Sequence, residues 1–588
     1  MASVLYEDGQ PDHKPIAEAN TNHSKIPHKQ KYIELYGVED VEEVEDYREN
    51  GFHPVDILDI LDGRFEVCHK LGSGGIATVW LCYEAGRQRW RAIKINAASH
   101  SSMDSAELRI GKLLEKQGFT PQELEKHHIV IAEETFWIEG PNGRHLCSVL
   151  PVFGPSLPQW RELAVGWGAS KIQEICYEIV QGLHFLHEHE ICHGDFRPQN
   201  ILMRLADGGL DHLDPDDLFA IISLPSRHKV LTLDGERSLN APKWVTEPLN
   251  WYELKDLVLD GVSIVDFGEA FETTSPPSFL GIPGTYASPE VAYGGESLGK
   301  GIDIWSLALT LMETRTGRKL GDIPNSPLDR MENFAGPIPP PYRSAAAEEI
   351  YRNQLDEFRR YGPEEMKKPQ PPSEKILEST SSLTDMMWET SGGGSVSTSL
   401  SPDGIEKELR NELWECVLVP QETDTGEEIT AEMRPYQLSE HEVAALKDLL
   451  TGMLKYRPSD RRSTSDVLRH SWFKKDFDNE ESDAKEPAEQ LVGFTSNSAP
   501  LTISEGADTT KLKTDEQDNR TARGNWSRYL FPVSQNKKLF VLSFCLPIMF
   551  SFLLLWYMGL SSDRVTIRNL EVFSIELGPT QPGTHAGK

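Results

Sequence analysis

His193-Gly194-Asp195-Phe196-Arg197-Pro198-Gln199-Asn200 sets a carboxylate and a carboxamide five residues apart with a cation between them. An Asp in such a run can accept a hydroxyl proton, an Arg can balance charge on a moving phosphoryl group, and an Asn can ligate magnesium. Further along, Asp266-Phe267-Gly268 follows the strand-like Ser263-Ile264-Val265 and offers a second magnesium carboxylate at the start of a loop. A lone tripeptide of this kind arises by chance; in this order behind the first run it does not. With Asp195 beside it, His193 reads as a structural residue rather than an acid or base.

Outward from this centre, Ile172, Ile175, Cys176, Ile179, Leu183 and Leu186 recur at helical spacing, which predicts an amphipathic helix over 171–189 that delivers the 193–200 run. Upstream, apolar and polar residues alternate through Phe65, Val67, Val79, Leu81, Ala92 and Lys94, the pattern of strands joined by tight loops. Between two of them lies Gly72-Ser73-Gly74-Gly75-Ile76-Ala77-Thr78-Val79, a loop whose N–H groups can close over phosphates, or a simple turn. Lys94 sits in an apolar strand and needs a partner there. Glu107, in the helical stretch 105–118, is the candidate, and the alternative is an exposed helix carboxylate.

The bulk numbers limit the function classes. A chain of 588 residues is too long for one compact core. The balance of 59 Lys+Arg against 92 Asp+Glu gives a net charge of −33, which argues against nucleic acid and permits basic protein partners. Seven scattered cysteines without a CxxC pair read as buried thiols, with neither disulfides nor zinc expected. The beginning, MASVLYEDGQ, lacks the apolar core of a secretory signal.

Taken together, these runs resemble the eukaryotic protein kinases over roughly 60–475. Ser288-Pro289-Glu290 looks like the family's Ala-Pro-Glu, Asp303-Ile304-Trp305 its DxW helix, and Arg461 in RPSDRR the arginine that pairs with that Glu. A closer resemblance is to the kinases of SR proteins, the serine/arginine-rich splicing factors. It is carried by EDYRENGFHPVDILDILDGRFEVCHKLGSGGIATVWL at 45–81, HLCSVLPVFGPSL at 145–157 and LLTGMLKYRPSDRRSTSDVLRHSWF at 449–473. That family is also split by a spacer in the same place as the long stretch from Asn200 to Asp266.

The resemblance implies an α+β, two-lobed kinase fold and ATP- and Mg2+-dependent transfer of a phosphoryl group to Ser or Thr of proteins, with Arg/Ser-rich chains as candidate substrates. Asp195, Lys94, Glu107 and Arg197 are the expected catalytic residues, and Asn200 and Asp266 the metal ligands. Nucleotide contacts are expected from Leu71, Gly72, Ser73, Gly74, Gly75, Ile76, Ala77, Val79, Ala92 and Lys94. Pro151 and Phe153 are expected at the adenine hinge, with Leu71, Val79, Ala92 and Leu202 as the apolar walls around the base. The sequence departs from the family at Ala77, the third glycine; at Arg197, usually a lysine; at Pro283, where a bridging Thr is usual; and at Gly194, usually an arginine. The competing readings are a pseudokinase scaffold and a small-molecule phosphotransferase.

The expected organisation is an arm over 1–59, an N-lobe over 60–150 and a C-lobe over 151–475. Irregular insertions are expected at about 205–260 and 330–435, outside the core, with a linker at 476–536. Leu539 to Leu560 holds 22 residues without a charge, near the ~20 that span a bilayer as a helix. Arg520, Arg523, Arg528, Lys537 and Lys538 precede it, so the expectation is a single-pass membrane protein. Its catalytic lobes would face the cytosol and the 561–588 tail would lie beyond. The alternative is a soluble enzyme of cytoplasm and nucleus. The protein is expected to act as a monomer.

Overall fold

The computed structural model describes residues 31–474, apart from 39, 164–167, 207–208, 319–326, 363–367, 384–385, 388–402 and 424–425. A six-stranded antiparallel sheet forms the upper lobe: β1 (Ile60–Leu61), β2 (Phe65–Ser73), β3 (Ala77–Glu84), β4 (Arg89–Asn96), β5 (Glu134–Gly140) and β6 (Gly143–Leu150). Its spatial order is β1-β2-β3-β4-β6-β5. Alternation decides the faces. Phe65, Val67, Trp80, Cys82, Ile93, Ile95, Cys147 and Val149 build one apolar cluster, while the intervening Ala92 and Lys94 turn the other way. Helix α1 (Ala106–Lys116) buries Glu107, Ile110 and Leu114 along one stripe, and α2 (Pro121–Lys126) is started by a Thr120–Glu123 capping box.

The lower lobe is helical. After α3 (Leu157–Leu163), the predicted helix runs as α4 (Ala169–Glu188) and buries Ile172, Ile175, Cys176, Ile179, Val180, Leu183 and Leu186. It shares one core with α7 (Lys300–Thr316), which follows α5 (Pro215–Ile221) and the short α6 (Pro289–Tyr293), and with the helix Glu440–Met453. The buried Arg315 guanidinium bonds Glu442 twice, at 2.7 and 2.8 Å, and crosslinks the last two.

The insertions differ from the expectation. Residues 205–260 carry α5 and a small β9–β10 pair (Arg227–Lys229, Trp244–Thr246), and they lie on the upper lobe. Leu210, Leu218, Leu249, Trp251 and Leu254 form a core with Cys68, Leu81 and Trp90, and Trp90 donates to the Leu213 carbonyl at 2.9 Å. The apolar residues are too widely spaced for a periodic signal, because they are completed by strands more than a hundred residues away. The 330–435 stretch contains α8 (Pro327–Ala335), α9 (Pro340–Tyr361) and a hairpin of Leu413–Thr423 with Gly426–Tyr436. It has its own apolar cluster around Tyr342, Ala346 and Ile376.

The arm is also built in from residue 31. Tyr32, Tyr47 and Phe52 pack with Val230, Ala241 and Val245 of the first insertion. Glu42 pairs with Lys70, which has no exposed surface, and accepts the Tyr47 hydroxyl.

Among the described residues no helix is long and apolar enough to cross a membrane. The two longest, α4 and α9, carry Lys171, Glu174 and Glu178, and Arg352, Glu357 and Arg359. The expected 539–560 helix lies outside the described residues. The fold is corrected to a two-lobed α+β architecture in which, among the described residues, no helix spans a membrane, and the single-pass, cytosol-facing placement is withdrawn.

Removing Glu42 would strand the Lys70 ammonium in the protein interior. Glu42→Leu is expected to destabilise the chain by about 3–5 kcal/mol, and Glu42→Leu with Lys70→Met to recover most of that loss. Urea unfolding of both variants is the check, and equal stability of the single and double variants would contradict the pairing.

Candidate active site

Lys94, on β4, leaves only 9% of its side chain exposed. Its Nζ donates to Glu107 Oε2 at 3.1 Å and to Asp266 Oδ1 at 2.8 Å. Burial works against the ammonium, but Asp266 and Glu107 outweigh it and hold the Lys94 pKa above the ordinary lysine range. In return, the Lys94 charge depresses the Asp266 carboxyl to about 2. Glu107 stands in the first turn of α1, the end where a helix favours negative charge.

Asp195 follows the short strand β7 (Ile191–Cys192, paired with Phe271–Glu272), and Asn200 directly precedes β8 (Ile201–Leu205). The loop between them is suspended from α7. Asp303, buried, accepts the His193 N–H at 2.8 Å and the Gly194 N–H at 3.0 Å, and pairs with His187 Nε2 at 3.0 Å. Arg197 Nε donates to both oxygens of Asp195, at 3.1 and 3.0 Å, and Asn200 Nδ2 donates to Asp195 Oδ2 at 2.9 Å. Burial raises the Asp195 pKa, with Arg197 and Asn200 opposing.

β8 pairs with Val258–Ile264, so the Val265 N–H donates to the Asn200 carbonyl at 3.0 Å and Asp266 follows immediately. Asp266 has φ +64°, a left-handed conformation that Asp tolerates better than most residues and that turns the chain sharply here. His193 spans the same junction. Its Nε2 bonds the Val265 carbonyl at 3.1 Å and its ring rests on Phe267 and Phe196, the structural position expected of it.

On the nucleotide side, β2 and β3 flank the glycine loop, with Gly72 opposite Val79 and Ser73 opposite Thr78. Gly74 N–H donates to the Ala77 carbonyl at 2.9 Å, closing the turn over Gly75 and Ile76. Ala77 is a buried strand residue, so a side chain in the third glycine position is accommodated. Ala92 pairs with Leu150, from which the chain passes through Pro151 to the buried Phe153. Gly154 N–H then donates to the Met203 carbonyl at 2.8 Å, which ties this crossing to the strand bearing Leu202. Leu71, Val79 and Leu202 are half-buried.

Magnesium takes hard oxygen ligands and is usually held by one or two protein groups plus phosphate. Asp266, ionised and 36% exposed, fits, as does Asn200, whose Nδ2 is engaged by Asp195 and whose amide oxygen is left as the donor.

One further residue escaped the sequence. Glu269, directly after the Asp266 tripeptide, accepts the Gly281 N–H at 2.9 Å. Beside it, Gly194 has φ +80°, and a Cβ there would lie 2.2 Å from the Glu269 carbonyl oxygen. That clash excludes the usual arginine, and glycine in an arginine position was its only sequence signal. Elsewhere Arg461 bonds Glu290 at 2.6 and 2.7 Å and lies over Trp305, the expected pairing. Thr285, two residues past Pro283, accepts from Arg330 at 3.5 Å.

Because Asp266 is depressed below the unfolded value of 3.8, the stability it contributes is present above about pH 4 and is lost as pH falls toward about 2. The stability deficit of Lys94→Met should therefore be largest above pH 4 and shrink toward pH 2. Denaturant titrations across that window measure it, and a constant deficit would refute the linkage.

The protein kinase domain family matches residues 65–214 and 255–473, breaking within the first insertion. Human SRSF protein kinase 3 is 34% identical over 178 residues, covering 30% of this chain and 31% of that protein. Protein kinase dsk1 of Schizosaccharomyces pombe is 32% identical over 235 residues, 36% of this chain and 42% of the relative. Serine/threonine-protein kinase SRPK of Physarum polycephalum is 30% identical over 298 residues, 48% of this chain and 67% of the relative. The match thus spans about a third of the first of these relatives. By the family match over most of its length, the chain belongs to the protein kinases, and among them it is similar to kinases of SR proteins.

Proposed function

We propose that this chain is a protein serine/threonine kinase that transfers the γ-phosphoryl group of ATP to protein hydroxyls, with Arg/Ser-rich basic proteins as its substrate class. The observation that carries the reading is the convergence of Asp195, Arg197 and Asn200 with the Lys94–Glu107–Asp266 cluster at one junction. Similarity to the SR-protein kinases and the charge of −33 support the substrate class.

In this mechanism Asp195 orients the acceptor hydroxyl and takes its proton as the new phosphate bond forms. Arg197 and Asn200 hold that carboxylate in one orientation. Lys94, kept cationic by two carboxylates, steadies the nucleotide phosphates, and the hinge at Pro151 and Phe153 seats the adenine between Leu71, Val79, Ala92 and Leu202. Magnesium held by Asp266 and Asn200 would neutralise charge on the phosphates.

Full-length protein should phosphorylate a serine peptide flanked by arginines in the presence of ATP and magnesium. Asp195→Ala and Asp266→Ala should each lower kcat by roughly 1,000-fold or more, and Lys94→Met should impair productive ATP use. No transfer by the wild type would favour a scaffold, and a preference for acidic flanks on a peptide array would defeat the substrate class. Since Gly194 replaces the arginine that a loop phosphate would engage, phosphatase treatment should leave the rate unchanged.

A further inference from the structure

Granting the kinase reading, we propose that Glu269 is a positioning residue, a latch whose carboxylate ties the activation segment at Gly281 to the loop that carries Asp266. The segment between Phe271 and Tyr286 is held near both ends. Thr273 donates its N–H to the Glu190 carbonyl at 2.9 Å and its hydroxyl to Glu190 Oε2 at 2.7 Å, and Lys300 braces the same carboxylate at 2.7 Å. At the far end the Tyr286 hydroxyl donates to Glu313 at 2.8 Å and its carbonyl accepts Ser306 Oγ at 2.9 Å. Between these anchors the Glu269–Gly281 bond, at 2.9 Å, joins the middle of the segment to the residue directly after Gly268.

Two glycines make room for the latch. At Gly194 a side chain would strike the Glu269 carbonyl at 2.2 Å, and at Gly281 a Cβ would stand 3.0 Å from Glu269 Oε1. The first contact fixes the Glu269 backbone against the 193–195 loop, and the second brings its carboxylate against Gly281. Glu269 is also partly desolvated and feels Asp195 and Asp266, which together raise its pKa, so it sits in the field of the reacting groups without bonding either. A loop phosphate draws its segment toward a cation; here a carboxylate of the chain holds the segment through a backbone donor.

The test uses the full chain with Glu269→Ala, Glu269→Gln and Gly281→Ala, the last crowding the carboxylate without removing it. Glu269→Ala and Gly281→Ala should lower kcat roughly 10–100-fold and raise the peptide KM, with the ATP KM changed less than about twofold. Glu269→Gln, whose amide oxygen still accepts the Gly281 N–H, should retain most of the rate. Hydrogen exchange of the 272–286 amides should quicken in the two alanine variants and not in the glutamine one. Wild-type kcat and exchange in Glu269→Ala, or equal loss in Glu269→Gln, would overturn the latch. If the wild type transfers no phosphate, the kinase reading falls, and the exchange measurement still decides the latch by itself.

Discussion

A buried ammonium must have its counter-charges at hand, and Lys94 has two, each from a different part of the chain. β4 supplies the cation, α1 one carboxylate and the loop after residue 264 the other. Moving either carboxylate leaves the ammonium with one partner instead of two, and moving Lys94 leaves both carboxylates without their cation. The relative placement of the upper lobe and the Asp266 loop follows from that constraint. The β8 ladder and the Val265 to Asn200 bond then transmit the placement to Asp195.

The second support runs from below. Asp303 gives both oxygens to the backbone N–H groups at 193 and 194, so the loop carrying Asp195 hangs from the most buried helix of the lower lobe. Glycine at 194 is part of the same arrangement. Its positive φ permits the turn, and its missing side chain admits the Glu269 backbone. A residue that looks like the loss of an arginine is thus a steric requirement of the loop beside it.

The residues proposed to carry the chemistry were legible because their spacing along the chain is short: Asp195 with Asn200, and Asp266 with Phe267 and Gly268. The helix at 169–188 was legible because its apolar stripe is unbroken. What escaped depends on partners distant in sequence. Lys70 next to the glycine loop looks like a surface cation until Glu42 is seen to face it. The 205–260 stretch looks irregular because a third of its buried core is supplied by Cys68, Leu81 and Trp90. Glu269 gave no signal, since its partner is a backbone N–H, and backbone donors leave no trace in residue identity. The expectation of a membrane helix came from the uncharged length of 539–560 and the basic residues before it, a stretch that lies outside the described residues.

The docked arm bears on how the protein is made. The Tyr32 hydroxyl donates to Ser238 Oγ, 206 residues further along the chain. At roughly 5–20 residues per second, a ribosome delivers the second half of that contact about 10–40 s after the first. Within that interval the first six strands are completed, yet the cluster of Tyr32, Tyr47, Phe52 and Ala97 still lacks Val230, Ala241 and Val245. The nascent upper lobe therefore carries an open apolar seam until the insertion emerges, a natural point for chaperone attention and for a translational pause to matter.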